Sequence, residues 1–228
     1  MFAALFMMTM RMEPADPANY LKPVILELQR PWPTNRTINI VFHGHSVPAG
    51  YFATPAVHTQ DAYPHLVHVV LGDRFPTAVI NVIVTAIGGE NSVQGAKRFK
   101  ADVLSHKPDV LFIDYGLNDR GVPLEQSKAA WLEMVSLAKA SHIKVLLLTP
   151  TPDLTSKMLE SGDPLSQQAK QIREVAAQEG VGLVDSYGAF CDRLRAGQNL
   201  QPLMAQSNHP NRLGHEIVAD LALKWFPK

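Results

Sequence analysis

The stretch TINIVFHGHS, residues 37–46, decides the fold. Its first six residues, Thr37 to Phe42, are β-branched or apolar almost without interruption, as in a strand covered on both faces. Four further runs repeat the theme: Ala78 to Thr85 (AVINVIVT), Val110 to Asp114 (VLFID), Ile143 to Thr149 (IKVLLLT) and Val181 to Asp185 (VGLVD). Helical patterns fill the intervals at about 62–73, 92–106, 124–141 and 164–179, with a last one at about 211–226. Asp163-Pro164 reads as a cap and first-turn proline opening the fourth of them. Strand–helix alternation predicts a parallel sheet with helices on both faces. The expected class is α/β, a three-layer α/β/α sandwich on a five-stranded parallel sheet.

Outside this alternation, residues 13–35 hold Pro14, Pro17, Pro23, Pro31 and Pro33. They read as an irregular lead-in, so that 1–35 wraps a single domain spanning 36–228, with no linker and no internal repeat. The chain's 228 residues suffice for one large domain with a substantial core. Lys+Arg and Asp+Glu both number 21, leaving no net field for nucleic acid or an anionic membrane. The expected partner is a small molecule, with no nucleic acid and no stable membrane association. Cys191 is the single cysteine, which excludes an internal disulfide and a multi-thiolate zinc site; it reads as a partly buried small side chain. Met1 to Met10 is apolar, but its basic residue, Arg11, follows rather than precedes it. That is the reverse of a secretory signal, and the stretch is too short to span a bilayer. It reads as an extended start, with the initiator at Met10 or Met12 and the protein cytoplasmic; a truncated export signal is the alternative.

In parallel sheets, ligands bind outside the carboxyl ends of the strands. Ser46 lies just beyond the first strand, Gly88-Gly89-Glu90-Asn91 beyond the second, and Gly116-Leu117-Asn118-Asp119 beyond the third. Asn208-His209-Pro210-Asn211 precedes the last helix and can fold back to the same edge. A neutral imidazole can take a hydroxyl proton and return it, so His209 gives Ser46 a base. Attack on an ester carbonyl creates an oxyanion that needs preorganised donors. The Ser46 N–H, the Gly89 N–H and the Asn118 side-chain amide would supply three. Tyr51-Phe52 and Thr149 to Pro152 lie near this edge, as acyl-pocket lining or as core. Glu90 and Arg120 read equally as substrate contacts or as a solvated pair.

Other histidines raise a metal hypothesis: His43 and His45 share one side of an extended segment, and His65 and His68 a helix face, with His58 nearby. No carboxylate or thiolate completes a cluster of ligand spacing, so neither metal nor cofactor is expected.

These blocks resemble the SGNH, or GDSL-type, serine esterases and lipases across nearly the whole chain. Gly44-His45-Ser46 resembles the nucleophile block Gly-Asp-Ser, and Ala86 to Gly95 the glycine block, with Gly89 at the oxyanion position. Gly116-Leu117-Asn118-Asp119 resembles Gly-x-Asn-Asp, and His209-Pro210-Asn211 the end of Asp-x-x-His-Pro-Asn. The resemblance implies a flavodoxin-like sandwich and cofactor-free hydrolysis of acyl esters.

Two departures stand out. His45 replaces the aspartate before the serine and is expected to pack or bond locally, since neighbouring residues usually point apart. Gln206 occupies the position of the triad aspartate, three before His209. Its oxygen can accept the imidazole N–H but cannot stabilise imidazolium as a carboxylate does. Alternatively the chain works as a Ser–His dyad helped by a backbone carbonyl, or Asp119 or Asp185 substitutes. The expected function is hydrolysis of carboxylic esters through an acyl-enzyme, on small or polar esters such as O-acetylated carbohydrates. The rivals are a thioesterase or lysophospholipase on the same site, or a binding protein that kept the fold and lost catalysis.

Overall fold

Five strands form one all-parallel sheet in a computed structural model that describes residues 15–228: β1 (Thr37–Gly44), β2 (Val79–Val84), β3 (Val110–Asp114), β4 (Lys144–Leu148) and β5 (Gly182–Val184). Met1 to Met10, and with it the reading of the start at Met10 or Met12, lies outside the described residues. The sheet order is β2-β1-β3-β4-β5, with Phe42 of β1 in register with Val84 of β2 and Phe112 of β3. This is the flavodoxin-like winding. The chain starts in mid-sheet, runs to one edge, then crosses back past β1, which opens a crevice beyond the carboxyl ends of β1 and β3.

The strands are joined by α1 (Lys22–Leu28), α2 (Ser46–Ala49), α3 (Tyr63–Arg74), α4 (Ser92–Asp102), α5 (Gly116–Asp119), α6 (Leu124–Ala140), α7 (Pro164–Glu179), α8 (Ser186–Arg195) and α9 (Arg212–Leu223). A two-stranded antiparallel hairpin, β6 (Met204–Gln206) and β7 (His209–Pro210), precedes α9. Side chains alternate across each strand, so both faces of the sheet are apolar. Ile38, Ile40 and Phe42 of β1 join Phe112 and Leu146 under α1, α3, α8 and α9. Val41, Leu111, Ile113, Val145 and Leu147 form the opposite core under α4, α6 and α7.

Three expectations need correction. β2 is not covered on both faces: it is an edge strand, with Val79 50% and Val84 38% exposed. The lead-in is not irregular throughout, because Leu21, Val24, Ile25 and Leu28 recur at helical spacing and bury one side of α1 in the first core. The helix expected over 92–106 stops at Asp102. A 3-10 turn, Leu104–His106, and a left-handed Lys107 (φ 48°) then turn the chain into β3. The Asp163 cap holds: its side chain accepts the Leu165 N–H. Among the described residues no helix is long and apolar enough to cross a membrane.

Candidate active site

Ser46 is the first residue of α2, directly beyond β1, and is buried. His209 sits on β7, where the hairpin folds back over that edge. The hydroxyl oxygen of Ser46 is 3.0 Å from His209 Nε2, across 163 positions of sequence. For Nε2 to accept the serine proton, Nδ1 must carry the ring's hydrogen. The Phe52 carbonyl lies 3.0 Å from Nδ1 and, being only an acceptor, selects that tautomer.

Gln206 behaves differently from the reading of its oxygen as the acceptor of the imidazole N–H. Its Oε1 already accepts the Thr54 N–H at 3.1 Å and the Thr54 hydroxyl at 3.3 Å. The amide nitrogen therefore donates to Asn208 Oδ1 and faces His209 Nδ1 at 2.8 Å, where, with the ring's hydrogen on Nδ1, the two N–H groups meet as donor against donor and form no hydrogen bond. A group with two N–H bonds cannot receive the Nδ1 hydrogen. Gln206 instead ties down the segment that presents the Phe52 carbonyl. Burial lowers the His209 pKa below the usual histidine value, the Phe52 bond opposes this, and His45 nearby lowers it further. The ring is thus neutral at neutral pH, as a base requires.

Gly89 adopts φ 82°, in the left-handed region, while a Cβ there would meet no protein atom. Backbone conformation, not crowding, selects glycine. Asn118, in α5, donates its amide to the Glu90 carbonyl at 2.8 Å, so the loops after β2 and β3 are in direct contact. The Ile87 N–H donates to the Gly44 carbonyl at 3.0 Å, which joins the loop after β1 to the same assembly. Ser46, Gly89, Asn118 and His209 therefore gather at one edge. The Tyr51 ring lies against Gly88, 5.9 Å from the His209 ring, and is 40% exposed, so it forms part of the rim.

His45 bonds locally, as expected from its position: Nδ1 accepts the Val47 N–H at 3.3 Å and caps α2. It also does something its neighbour relation to Ser46 did not suggest, since Nδ1 lies 3.4 Å from the serine oxygen. Its Nε2–H faces Asp114 Oδ1 at 3.4 Å, and neither atom has another partner. That separation makes the contact a loose electrostatic one, not a well-formed hydrogen bond. Tyr63 donates to the other Asp114 oxygen at 3.0 Å. Ser46 is thus flanked by two imidazoles.

The two substitute carboxylates are engaged elsewhere. Asp119 accepts from the Ser92 N–H and from Trp131 Nε1, and its burial raises its pKa. Asp185 caps α8 and pairs with Arg173. Neither bonds His209. Glu90 pairs with Arg98, and Arg120 with Asp153. His58 stacks on Phe52 at 4.0 Å, and among the described residues no group of three or more His, Cys, Asp or Glu could hold a metal. Sequence reasoning missed the Phe52 carbonyl, Thr54, Asp114 and Arg98. The first is a main-chain atom with no side-chain signature; the others become visible only through contacts between distant segments.

The chain matches the GDSL-like lipase/acylhydrolase family over residues 42–217. An acetylxylan esterase of Geobacillus stearothermophilus is 26% identical over 165 residues, covering 66% of this chain and 74% of that protein. The crystal structure of Axe2, an acetylxylan esterase from Geobacillus stearothermophilus, superposes with a TM-score of 0.71 at 23% identity, over 84% of this chain and 94% of the other. A two-domain esterase active on acetylated mannans gives a TM-score of 0.74 at 21% identity, over 91% of this chain. The present chain spans about half of that protein, 52%. At these identities the structural likenesses speak for the fold.

Proposed function

The chain belongs to the GDSL-like lipase/acylhydrolase family, and from that premise we propose that it is a serine esterase that removes small acyl groups, foremost acetyl, from carbohydrate hydroxyls. One observation carries the catalytic reading: the Ser46 hydroxyl 3.0 Å from His209 Nε2, with the opposite ring nitrogen held by a carbonyl. In the proposed reaction Ser46 Oγ attacks the ester carbon while its proton passes to Nε2. The Ser46 and Gly89 N–H groups and the Asn118 amide receive the oxyanion; Asn118 keeps one N–H on the Glu90 carbonyl and offers the other. Collapse breaks the bond to the sugar oxygen, which takes the proton from His209 and leaves. Water then gives a proton to His209 and attacks the acyl-serine; collapse breaks the bond to Ser46 Oγ, which takes that proton back from His209, and the carboxylic acid leaves.

The substrate class draws its support from the relatives, one an acetylxylan esterase and one an esterase active on acetylated mannans. The balance of 21 basic and 21 acidic residues fits an uncharged substrate. Gln206 favours a second reading, because a His209 without a carboxylate suits a fold that kept binding and lost turnover. Acetate release from acetylated xylo- and manno-oligosaccharides, alongside long-acyl and thioester substrates, tests the first reading. Labelling by a fluorophosphonate, lost in Ser46→Ala, accompanies it. No labelling of the wild type and no acetate release would sink the esterase and leave the binding protein.

A further inference from the structure

The three donors proposed for the oxyanion follow three different strands, and one side chain outside them bonds the end of β1 and the loops after β2 and β3. We propose that Arg98 is a positioning residue for this donor set, its guanidinium fixing the spacing of the loops after β1, β2 and β3. The proposal rests on the catalytic reading above.

Arg98 lies on α4, with its side chain only 15% exposed. Its Nε donates to Glu90 Oε2 at 2.7 Å, in the loop after β2 and next to Gly89. Its Nη2 donates to the Tyr115 hydroxyl at 3.0 Å, in the loop after β3, and more weakly to the Gly44 carbonyl at 3.4 Å, at the end of β1. Its Nη1 donates to Asp102 Oδ2 at 3.1 Å on its own helix, which orients the plane. Each of the three ties outside α4 ends on a residue near a donor in sequence. Gly44 is two residues before Ser46, Glu90 directly follows Gly89, and the Asn118 N–H itself bonds the Tyr115 carbonyl at 3.1 Å. The Glu90 carbonyl in turn holds the Asn118 amide.

The helix is built to deliver this side chain. Asn91 and Gln94 form a reciprocal cap that fixes where α4 starts. One turn on, Gly95 lies against the Tyr115 ring so closely that a Cβ would come within 2.3 Å of it. Arg98, three residues later on the same helix face, then meets the Tyr115 hydroxyl. Phe99 is buried beside the His43 ring and stops the helix from rolling. Only a planar fork with several fixed N–H directions spans acceptors on three loops; a lysine ammonium is a single point. An exposed ion pair would carry little weight, but this one is largely enclosed, with four of its five N–H groups bonded.

A donor set misplaced by a fraction of an ångström still binds substrate but stabilises the transition state less. The experiment is kinetics of Arg98→Lys on an acetyl ester, with a boronic acid as a mimic of the tetrahedral adduct at Ser46. We expect kcat to fall about 30-fold, the boronate inhibition constant to weaken in the same proportion, and KM to stay within about twofold. The acid limb of the pH profile, set by His209, stays in place. An unchanged kcat, or a loss of kcat without a matching loss of boronate affinity, overturns the proposal. Should Arg98→Lys fail to fold, Glu90→Gln removes one tie and keeps the main chain; it should lower kcat and boronate affinity together, and indifference of both overturns the proposal too. An inactive wild type defeats the catalytic reading and this inference with it, whereas an active wild type indifferent to Arg98→Lys defeats this one alone.

Discussion

The two flanks of Ser46 carry the same side chain in opposite settings. On the inner flank His45 has a carboxylate, Asp114, at its far nitrogen, and it is completely buried. On the outer flank His209 has only the Phe52 carbonyl and the Gln206 amide nitrogen, and it borders the exposed Tyr51 at the rim. A carboxylate therefore does not mark which imidazole is placed for chemistry. Reach does. A base in this reaction must return its proton to a leaving group arriving from outside, and His45 has no surface there. It caps α2 and steadies the serine from behind.

The sharpest way to break that comparison is to remove each imidazole in turn. His209→Ala should lower kcat/KM on an activated acetyl ester by about 10³-fold, within the range of a lost general base. His45→Asn, which keeps a capping acceptor, should cost about tenfold or less. A reversed ranking would transfer the base to the inner flank. Asn118→Ala should lower kcat by about 10²-fold with little change in KM, the signature of a donor used only in the transition state. Equal losses in kcat and substrate binding would remove it from the oxyanion site.

Acid titration separates imidazoles that serve the fold from the one proposed to serve the reaction. Burial pushes His43 and His215 down to about 4, and both are almost wholly enclosed. Between the unfolded value of about 6.5 and that range, the unfolded chain binds more protons than the folded one. Stability should be full above about pH 6.5 and fall by a few kcal/mol as pH drops toward 4, measured by urea midpoints at stepped pH. The His43→Gln variant should flatten that slope. The smallest expected effect is at Gln206. Gln206→Asp places a negative charge beside His209, so the imidazolium is favoured, kcat should rise several-fold, and the acid limb of kcat/KM should move to higher pH. A fall in kcat with the limb unmoved would mean that anchoring Thr54 is the residue's whole contribution.

Much of the architecture was legible because buried parallel strands leave unbroken apolar runs, and all five predicted strands form. The edge position of β2 was not, since its run is as apolar as that of β3 and only the sheet order tells them apart. α1 was hidden by its surrounding prolines. α8 was missed, although Asp185 reads as a strand end or a cap and its side chain does cap the helix that follows. At the site, Ser46, Gly89, Asn118 and His209 could be placed at one edge from topology alone. The direction of the Gln206 amide could not, because it is decided by Thr54, 152 residues away. Nor could the approach of Asp114 to His45, which depends on β1 and β3 lying side by side.

The group opposite Nε2 on the His209 ring is a peptide oxygen, and that changes how the site can vary. Every amino acid supplies one, so replacing Phe52 by another residue does not delete it, and alanine scanning would report the lost stack on His58 and not the carbonyl. Loss requires the segment itself to shift, through an insertion or deletion between residues 50 and 58 or through release of its anchor at Gln206. In the proposed mechanism one part of the machinery thus rests on the length of a loop and not on the identity of a residue.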